Sequence, residues 1–193
     1  QNMSLRVGGC SCASLTQRSM SARRLLTVAQ DASTLARRSR RVEPSDLDQL
    51  KPLLHEMRRC LVATEGQGVA APQFGEHLRL FMLRGPSDGA FHVVVNPRIL
   101  RASRSLTKGW EACLSVPGYA GLVPRPRSVH VAFETLRGQQ RELPITGRLA
   151  RAFQHELDHL NGVLYNERLR PGQSLLEMHG RTPERTFKTY NPE

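Results

Sequence analysis

The nine residues from Gln154 to Gly162, QHELDHLNG, combine two histidines, two carboxylates, an amide and a closing glycine. His155 and His159 are four positions apart, so on an α-helix both imidazoles project from one face and can bind the same metal ion. The spacing H-E-x-x-H favours metal-dependent hydrolysis, with an ordinary pair of surface histidines as the alternative. Two protein ligands do not complete a metal site, so a third must come from elsewhere in the chain.

The third ligand is not found among the residues that usually follow this pattern. The extended form H-E-x-x-H-x-x-G-x-x-H keeps its glycine as Gly162 but has Tyr165 at its last position. The one later histidine, His179, is far outside that spacing. Upstream, Cys113 offers a thiolate, which binds zinc and iron(II) and would leave a fourth coordination position open for water. A zinc peptidase built on the same helix is the alternative, and it would not need Cys113.

The H-E-x-x-H pattern lies on a predicted helix that begins at Thr146 or Gly147, runs through Leu160 and is ended by Asn161-Gly162. Apolar residues recur along it at helical spacing, which is expected to hold one face in a core while the two histidines face a cavity. These apolar residues are Leu149, Phe153, Leu157 and Leu160.

The chain before this helix predicts one more helix and several short strands. An amphipathic helix is expected from about Ser45 to Thr64, with Pro52 marking a kink or a later start. Short runs predict strands at 78–84, 91–95, 128–133 and 140–143, joined as antiparallel hairpins because their spacings are short. The fold class is therefore α+β, with small antiparallel or mixed β-sheets packed around the C-terminal helix that carries H-E-x-x-H.

A glycine-rich loop, GQGVAAPQFG from Gly66 to Gly75, separates the first predicted helix from the first predicted strand. It resembles a dinucleotide-binding fingerprint only superficially, because that motif needs a preceding strand and a following helix. Nucleotide binding is therefore rejected. Its glycines predict close approach of the backbone to a partner.

Basic charge is concentrated at the N-terminus. Residues 1–43 hold eight arginines against Asp31 and Glu43, and so contribute +6 of the net charge of +11. The first thirty residues contain four arginines, five serines and no acidic residue, which is the composition of an organelle transit peptide, with a disordered arm as the alternative. We therefore expect a mitochondrial protein, with the plastid as the alternative, and no direct nucleic-acid partner.

The predicted domain organisation is a leader over 1–30, a catalytic domain over 31–170 and a polar, extended or loosely packed tail over 171–193. The chain has no run of about 18 apolar residues, so no membrane span is expected. Four cysteines do not make a disulfide framework in a chain of this size. Two of them, Cys10 and Cys12, fall in the predicted leader, and Cys60 is expected to be a small buried hydrophobe.

Three segments together resemble peptide deformylases of the organelle type, whose motifs are G-x-G-φ-A-A-x-Q, E-G-C-φ-S and Q-H-E-x-D-H-φ-x-G, where φ is apolar. They match Gly66–Gln73, Glu111–Ser115 with one departure, and Gln154–Gly162, in that order. The resemblance extends to the Val123-Pro124-Arg125 segment and, in the tail, to Arg185-Thr186-Phe187. Each motif is demanding, so agreement of all three favours the family far more strongly than H-E-x-x-H alone does.

The resemblance implies that Cys113, His155 and His159 bind one divalent metal ion whose fourth position holds water. It implies removal of the N-formyl group from the methionine of newly made polypeptides, with formate as product. Glu156 would take the proton of the attacking water and pass it to the departing amine. The formyl oxygen would be met by the Gln73 amide and the Leu114 backbone N–H.

The remaining implied roles concern substrate and support. Gly68 would let the main chain run beside the substrate peptide, with Gln67 and Val69 flanking it. Glu111 is expected to pair with Arg125 as a brace. Gln154 and Asp158 are candidates for orienting the ligands.

Three residues depart from the family pattern or stand near the site unexplained. Ala112 replaces the glycine of E-G-C-φ-S, and would be strained if that position had a positive φ. Gln67 stands where an aliphatic residue is usual. Arg151, one helical turn before His155, is expected near the catalytic face, as in organelle-type members.

Other functions and metals remain open at this point. Ala112 and the basic leader motivate a deformylase-like protein that binds a formylated or ribosomal partner without catalysis. Iron(II) is the metal expected in vivo, with zinc, nickel and cobalt as alternatives, because all of them accept this ligand set. The organellar ribosome is a candidate partner for which the sequence offers no motif.

Overall fold

The computed structural model describes residues 24–85, 89–179 and 182–187. Its helices are α1 (Val28–Leu35), α2 (Leu50–Thr64) and α3 (Gly147–Leu160), with 3-10 helices at Pro44–Gln49, Ala71–Phe74 and Tyr165–Arg168. Its strands are β1 (Gly68–Ala70), β2 (Leu80–Arg84), β3 (Phe91–Ala102), β4 (Leu106–Cys113), β5 (Val116–Pro126), β6 (Ser128–Glu134), β7 (Gln140–Thr146), β8 (Leu176–His179) and β9 (Thr182–Phe187).

The strands form two antiparallel sheets, as the α+β prediction requires. One has five strands in the order β1-β2-β3-β6-β7, and the other has four in the order β4-β5-β8-β9. Strand β1 is an edge of the first sheet and β4 is an edge of the second. Both edges carry residues of the predicted motifs.

The predicted catalytic helix is confirmed as α3 over Gly147–Leu160. Phe153 and Leu160 are buried on the five-stranded sheet, with Leu149 and Leu157 partly buried beside them. The rings of Phe153 and Phe81 meet edge to face with centroids 5.0 Å apart. Packing of this apolar face fixes the opposite direction, in which the histidines project.

The predicted helix from Ser45 to Thr64 is divided in two. Its first turn is the 3-10 helix Pro44–Gln49, and the α-helix begins only at Leu50. Pro52 then falls in the first turn of α2, where its missing N–H costs no intrahelical hydrogen bond. The later start that the proline allowed is the one observed, and Leu50, Leu53, Met57 and Leu61 form the buried face.

The strands predicted at 78–84, 91–95, 128–133 and 140–143 are found as β2, β3, β6 and β7, although β3 and β7 are longer. Strand β3 continues through Asn96, whose φ is +50°, because the Asn96 side chain exchanges hydrogen bonds with the backbone of Val42. No strand was predicted for the long hairpin β4–β5. Its sequence contains PGYAG and VPRP, whose glycines and prolines are typical of turns, so the two strands were not recognised from the sequence.

Residues beyond both predicted domain boundaries contact the folded domain. The backbone N–H of Leu26 donates to the carbonyl of Gln73 and that of Val28 to the carbonyl of Ser115, each at 2.8 Å, so residues 24–30 belong to the folded domain. Most of the predicted leader, residues 1–23 with Cys10 and Cys12, lies outside the described residues. In the predicted tail, β8 pairs with β5, and Leu175 and Leu176 are buried.

Within the described ranges, the structure contains no helix long and apolar enough to cross a membrane.

Candidate metal centre and active site

Cys113, His155 and His159 come together at the end of β4 and on one face of α3. Their ligand atoms all lie within 4.8 Å of one another. The Sγ of Cys113 is 3.2 Å from Nε2 of His159. In a tetrahedral site with metal–sulfur and metal–nitrogen bonds of ordinary length, a sulfur and a nitrogen are about 3.6 Å apart. The donor set and its spacing therefore fit one small divalent metal ion.

The electrostatics of this cluster suit metal binding. Burial raises the pKa of the Cys113 thiol, but the two imidazoles, His159 foremost, hold it well below its ordinary value. Cys113 is therefore a thiolate, which is the form that binds metals. Atom Nδ1 of His159 is buried and has no hydrogen-bond partner among the described residues.

Glu111 orients His155 from behind. Its Oε2 is 2.9 Å from Nδ1 of His155, which leaves Nε2 as the metal-binding nitrogen. The predicted pair with Arg125 is observed as a two-pronged contact of 2.6 and 2.8 Å. Burial raises the pKa of Glu111, but Arg125 and His155 outweigh it and bring the pKa down to about 2. Glu111 is therefore charged and holds the imidazole in one tautomer.

Asp158 supports the ligands through Arg125 and not directly. Its Oδ2 accepts from Nη1 of Arg125 at 2.7 Å, and its two oxygens also accept from Arg168 at 2.6 and 3.1 Å. The result is a continuous chain from Asp158 through Arg125 and Glu111 to His155.

Gln154 serves the helix and not the ligands. Its amide donates to the carbonyl of Pro126 at 3.1 Å and to that of Ala150 at 2.9 Å. The expectation that it orients a ligand directly is not met by these contacts. It ties α3 to the end of β5 instead.

Gln73 is 2% exposed and directs its amide at Cys113. Its Oε1 accepts from the N–H of Ala70 at 2.8 Å, which fixes the side chain. Its Nε2 donates to Oγ of Ser115 at 3.0 Å and lies 3.6 Å from Sγ of Cys113. An amide held in this way offers N–H groups beside the metal position.

Glu156 is buried next to the cluster, and its Oε2 has no hydrogen-bond partner among the described residues. Burial raises the pKa of this carboxyl to about 7. Gly68 faces it so closely that a Cβ there would lie 2.6 Å from Oε1 of Glu156. The glycine-rich loop and the H-E-x-x-H helix therefore meet at the carboxylate.

Five of these residues line a cleft of about 720 Å³, namely Gln73, Glu111, Cys113, His155 and Glu156. The glycine loop at Gly66, Gln67 and Gly68 borders it on one side, and β4 from Gly109 to Cys113 borders it on another. Leu114 and Arg151 also line it, whereas Val69 is buried beneath the loop. The side chain of Gln67 is exposed.

Arg151 does not project freely into the cleft. Its guanidinium donates to Oε1 of Glu111 at 2.7 Å, to the carbonyl of Val123 at 2.9 Å and to that of Thr107 at 2.7 Å. A Cβ at position 109 would lie 2.8 Å from its Cζ, so Gly109 makes room for it. Arg151 thus joins α3 to the β4–β5 hairpin.

Ala112 is not strained. It lies within β4, and the positive-φ residues other than glycine are Glu65 and Asn96 among the described residues. Its methyl group is exposed in the cleft. The concern that this departure from glycine distorts the thiolate therefore does not hold.

We expect Ala112→Gly to change turnover little. The backbone already adopts an ordinary extended conformation, so removing the methyl relieves no strain, and kcat should stay within about twofold. Steady-state kinetics of the two proteins, with the formylated peptide substrate that the family resemblance implies, provide the measurement. An increase in kcat of tenfold or more would show that the alanine does distort the site.

The sequence matches the family model of polypeptide deformylase over residues 23–174. The chain belongs to the polypeptide deformylase family. The peptide deformylase of Chloroflexus aurantiacus is 36% identical over 176 residues, covering 82% of this chain and 93% of that protein. Peptide deformylase 2 of Shewanella oneidensis is 38% identical over 150 residues, covering 72% and 83%.

Solved deformylase structures share the fold. A peptide deformylase from Synechococcus elongatus in complex with actinonin has a TM-score of 0.71 at 31% identity, covering 82% of this chain and 84% of that chain. A class I type b peptide deformylase from Acinetobacter baumannii with Met-Ala-Ser bound has a TM-score of 0.69 at 33% identity, covering 76% and 97%. This deformylase is a hydrolase that removes N-formyl groups from newly made polypeptides, and its family uses a divalent metal.

Sequence reasoning missed two residues that support the deformylase site. Tyr165, to which the sequence analysis gave no role at the site, stacks on His155 with ring centroids 6.1 Å apart and donates its hydroxyl to the carbonyl of Tyr119 at 3.0 Å. Arg168 completes the ionic chain at Asp158. Neither lies in a motif, so only the fold reveals their positions.

Proposed function

We propose that Cys113, His155 and His159 hold one divalent metal ion, iron(II) in vivo, and that Glu156 is the acid–base group of deformylation. One observation carries this proposal. The three ligand atoms converge beside a buried carboxylate oxygen that no described residue satisfies, in a cleft open to a peptide. A thiolate with two imidazoles accepts iron(II) or zinc, and also nickel or cobalt.

A divalent metal held there supplies Lewis acidity that activates water and polarises a carbonyl. Glu156 then acts as the base that accepts the proton of the attacking water, and its carboxyl gives that proton to the amine as formate departs. The Gln73 amide and the Leu114 backbone N–H meet the charge on the formyl oxygen. Gln73 is already oriented by Ala70 and Ser115, so it needs little rearrangement.

We place the substrate backbone between the two free sheet edges. Gln67 and Gly68 at β1, and Ala112 at β4, each border the cleft from the edge of a sheet. An extended peptide can add to such an edge through main-chain hydrogen bonds, which form whatever the side chains of the peptide are. This suits an enzyme whose substrates share only an N-formylmethionyl start. Met-Ala-Ser, the tripeptide bound in the Acinetobacter deformylase, is the peptide that remains when the formyl group is removed from formyl-Met-Ala-Ser.

Replacing Gly68 by alanine should lower kcat/KM by roughly 10-fold to 100-fold. The added Cβ would lie 2.6 Å from Oε1 of Glu156 and 2.8 Å from Cδ2 of Leu83, so the carboxylate or the loop must move. Misplacement of a reacting group by about 1 Å costs on this order. Kinetics with a formylated tripeptide and metal content of the same sample measure the effect. An unchanged kcat/KM would mean that neither the loop nor Glu156 needs this position.

The proposed location is the mitochondrion, with the plastid as the alternative, and the proposed transit peptide lies within residues 1–30. Their arginine- and serine-rich, acid-free composition supports this. Expression of the full chain with a C-terminal fluorescent tag, beside the chain lacking residues 1–23, tests it. Organelle import of the first protein and its loss in the second are expected; a diffuse full-length protein would oppose the proposal.

A contact with the organellar ribosome is a further proposal, supported only by the substrate being a nascent chain. Co-sedimentation of the mature protein with mitochondrial ribosomes tests it. Recovery that persists after release of nascent chains would support a direct contact. Recovery only with nascent chains present would assign the association to the substrate.

The proposed activity is tested by formate release from formyl-Met-Ala-Ser beside acetyl-Met-Ala-Ser. The formyl peptide should be turned over and the acetyl peptide should not, because the proposed activity is removal of a formyl group, whose carbonyl carries a hydrogen in place of a methyl. Cleavage inside the tripeptide would favour the peptidase function. Tight binding without turnover at full metal loading would favour a binding protein.

A further inference from the structure

Arg84, the last residue of β2, connects the end of α2 to the start of the glycine loop. Its Nη2 donates to the carbonyl of Leu61 at 2.8 Å, and its Nε donates to the carbonyl of Gly66 at 3.2 Å. Its own backbone N–H donates to the carbonyl of Gln67 at 2.8 Å. One side chain and one amide therefore hold the end of α2 and the start of the cleft wall together.

The contact with Leu61 meets a need at the end of α2. The helix ends at Thr64, so the Leu61 carbonyl is among the last four carbonyls, the groups that lack an intrahelical partner at a helix C-terminus. The chain then turns through Glu65, whose φ is +52°, a conformation that glycine adopts more readily. A guanidinium placed here bonds a helix carbonyl and also complements the negative end of the helix dipole.

The ring of Phe91 also packs against the guanidinium of Arg84. The Cζ of Arg84 lies 4.9 Å from the Phe91 ring centroid, and Arg58 approaches the same ring at 5.6 Å. Arg84 is only partly exposed. Its position is therefore fixed by ring stacking as well as by its two carbonyl acceptors.

The loop that Arg84 holds is closely packed on the side that faces the cleft. A Cβ on Gly68 would lie 2.6 Å from the Glu156 carboxylate, so a small inward movement of the loop displaces that group. An outward movement pulls the β1 edge away from the cleft. The position of Gln67 and Gly68 thus matters in both directions.

We propose that Arg84 is a positioning residue for substrate binding, which sets the β1 edge at the distance that a formylated peptide requires. The inference rests on the proposed function, in which the substrate backbone lies beside Gly68. Arg84 is not itself a lining residue of the cleft. It contacts the lining residues Gly66 and Gln67 through their backbone carbonyls, and so acts through the loop.

Arg84→Met and Arg84→Lys test this proposal, with Arg79→Met as the matched control. Arg79 precedes β2, is half-buried, and donates to Oδ1 of Asn161 at 3.0 Å and to the carbonyl of Pro97 at 3.4 Å, away from the loop. Lysine keeps the charge but lacks the planar fork that reaches two carbonyls at once.

For Arg84→Met we expect KM for formyl-Met-Ala-Ser to rise about tenfold with kcat lowered less than threefold, because bound peptide re-forms the loop and the cost appears in binding. The dissociation constant of the tripeptide Met-Ala-Ser, measured by calorimetry, should rise by a similar factor. Amides 66–69 should exchange hydrogen faster. Arg84→Lys should recover part of each change, and Arg79→Met should lose stability without a change in KM.

An unchanged KM and tripeptide affinity in Arg84→Met would overturn the proposal while leaving deformylation by the wild type intact. An equal rise of KM in Arg79→Met would also overturn it, since general loosening would then explain the effect. If Arg84→Met does not fold, Arg84→Lys decides the question by the same measurements. Absence of turnover in the wild type would instead refute the proposed function.

Discussion

Glu156→Gln should reduce formate release from formyl-Met-Ala-Ser by about 10³-fold, within the range that general acid–base groups contribute. Glutamine has nearly the same shape, so the ligand cluster and the contact with Gly68 are retained. It cannot accept the proton of water or return one to the amine. The measurement is kcat by formate detection, with metal per chain determined on the same sample, which should be unchanged.

Glu56→Gln is the matched control for this prediction. Glu56 is also a helix glutamate, but it is partly exposed on α2 and pairs with Arg59 at 3.1 Å, away from the metal ligands. Its replacement should leave kcat unchanged. If Glu156→Gln with full metal kept more than about a tenth of the wild-type turnover, the role of this carboxylate as proton carrier would be untenable.

Glu111→Gln should lower the free energy of unfolding by about 3 kcal/mol or more, because it breaks a buried ion pair on one side only. Glu111 is buried, and it accepts from Arg125 and Arg151 at 2.6–2.8 Å and from His155 at 2.9 Å. The side-chain amide of glutamine would place N–H groups against the N–H groups of Arg125, Arg151 and His155, which need an acceptor. Urea unfolding of the metal-free proteins measures the loss, and metal affinity should also fall because His155 loses its orienting partner.

Glu142→Gln provides the comparison for stability. Glu142 is more than half exposed and lies 3.4 Å from His130, so its replacement should cost less than about 0.5 kcal/mol. A similarly small cost at Glu111 would show that the ionic chain from Asp158 to His155 does not stabilise the fold. Unchanged metal affinity in Glu111→Gln would show that this ionic chain does not support the metal site either.

The site could be predicted from sequence wherever its chemistry is local. His155, Glu156 and His159 share one helix, and their roles follow from spacing of three and four residues. Cys113 needed the family resemblance, since nothing local connects residue 113 to residue 155. The Glu111–Arg125 pair was predicted in the same way and is observed.

The parts that sequence did not predict depend on contacts distant in the chain. Arg151 was expected near the catalytic face, but its three carbonyl and carboxylate acceptors come from a hairpin that was not predicted. Ala112 raised a concern about strain that only its φ could answer. The split of the helix at Pro44–Gln49 and the strand at Leu176–His179 likewise reflect packing, which overrides local propensity.

Metal content and formate release measured together test the central claim most directly. Metal-free protein prepared without oxygen is titrated with iron(II), and Cys113→Ala is treated in the same way. We predict one metal ion per chain, turnover that rises in proportion to metal bound, and loss of both in the variant. Full turnover by metal-free protein, or by Cys113→Ala, would contradict the assignment of Cys113, His155 and His159 as the catalytic metal site.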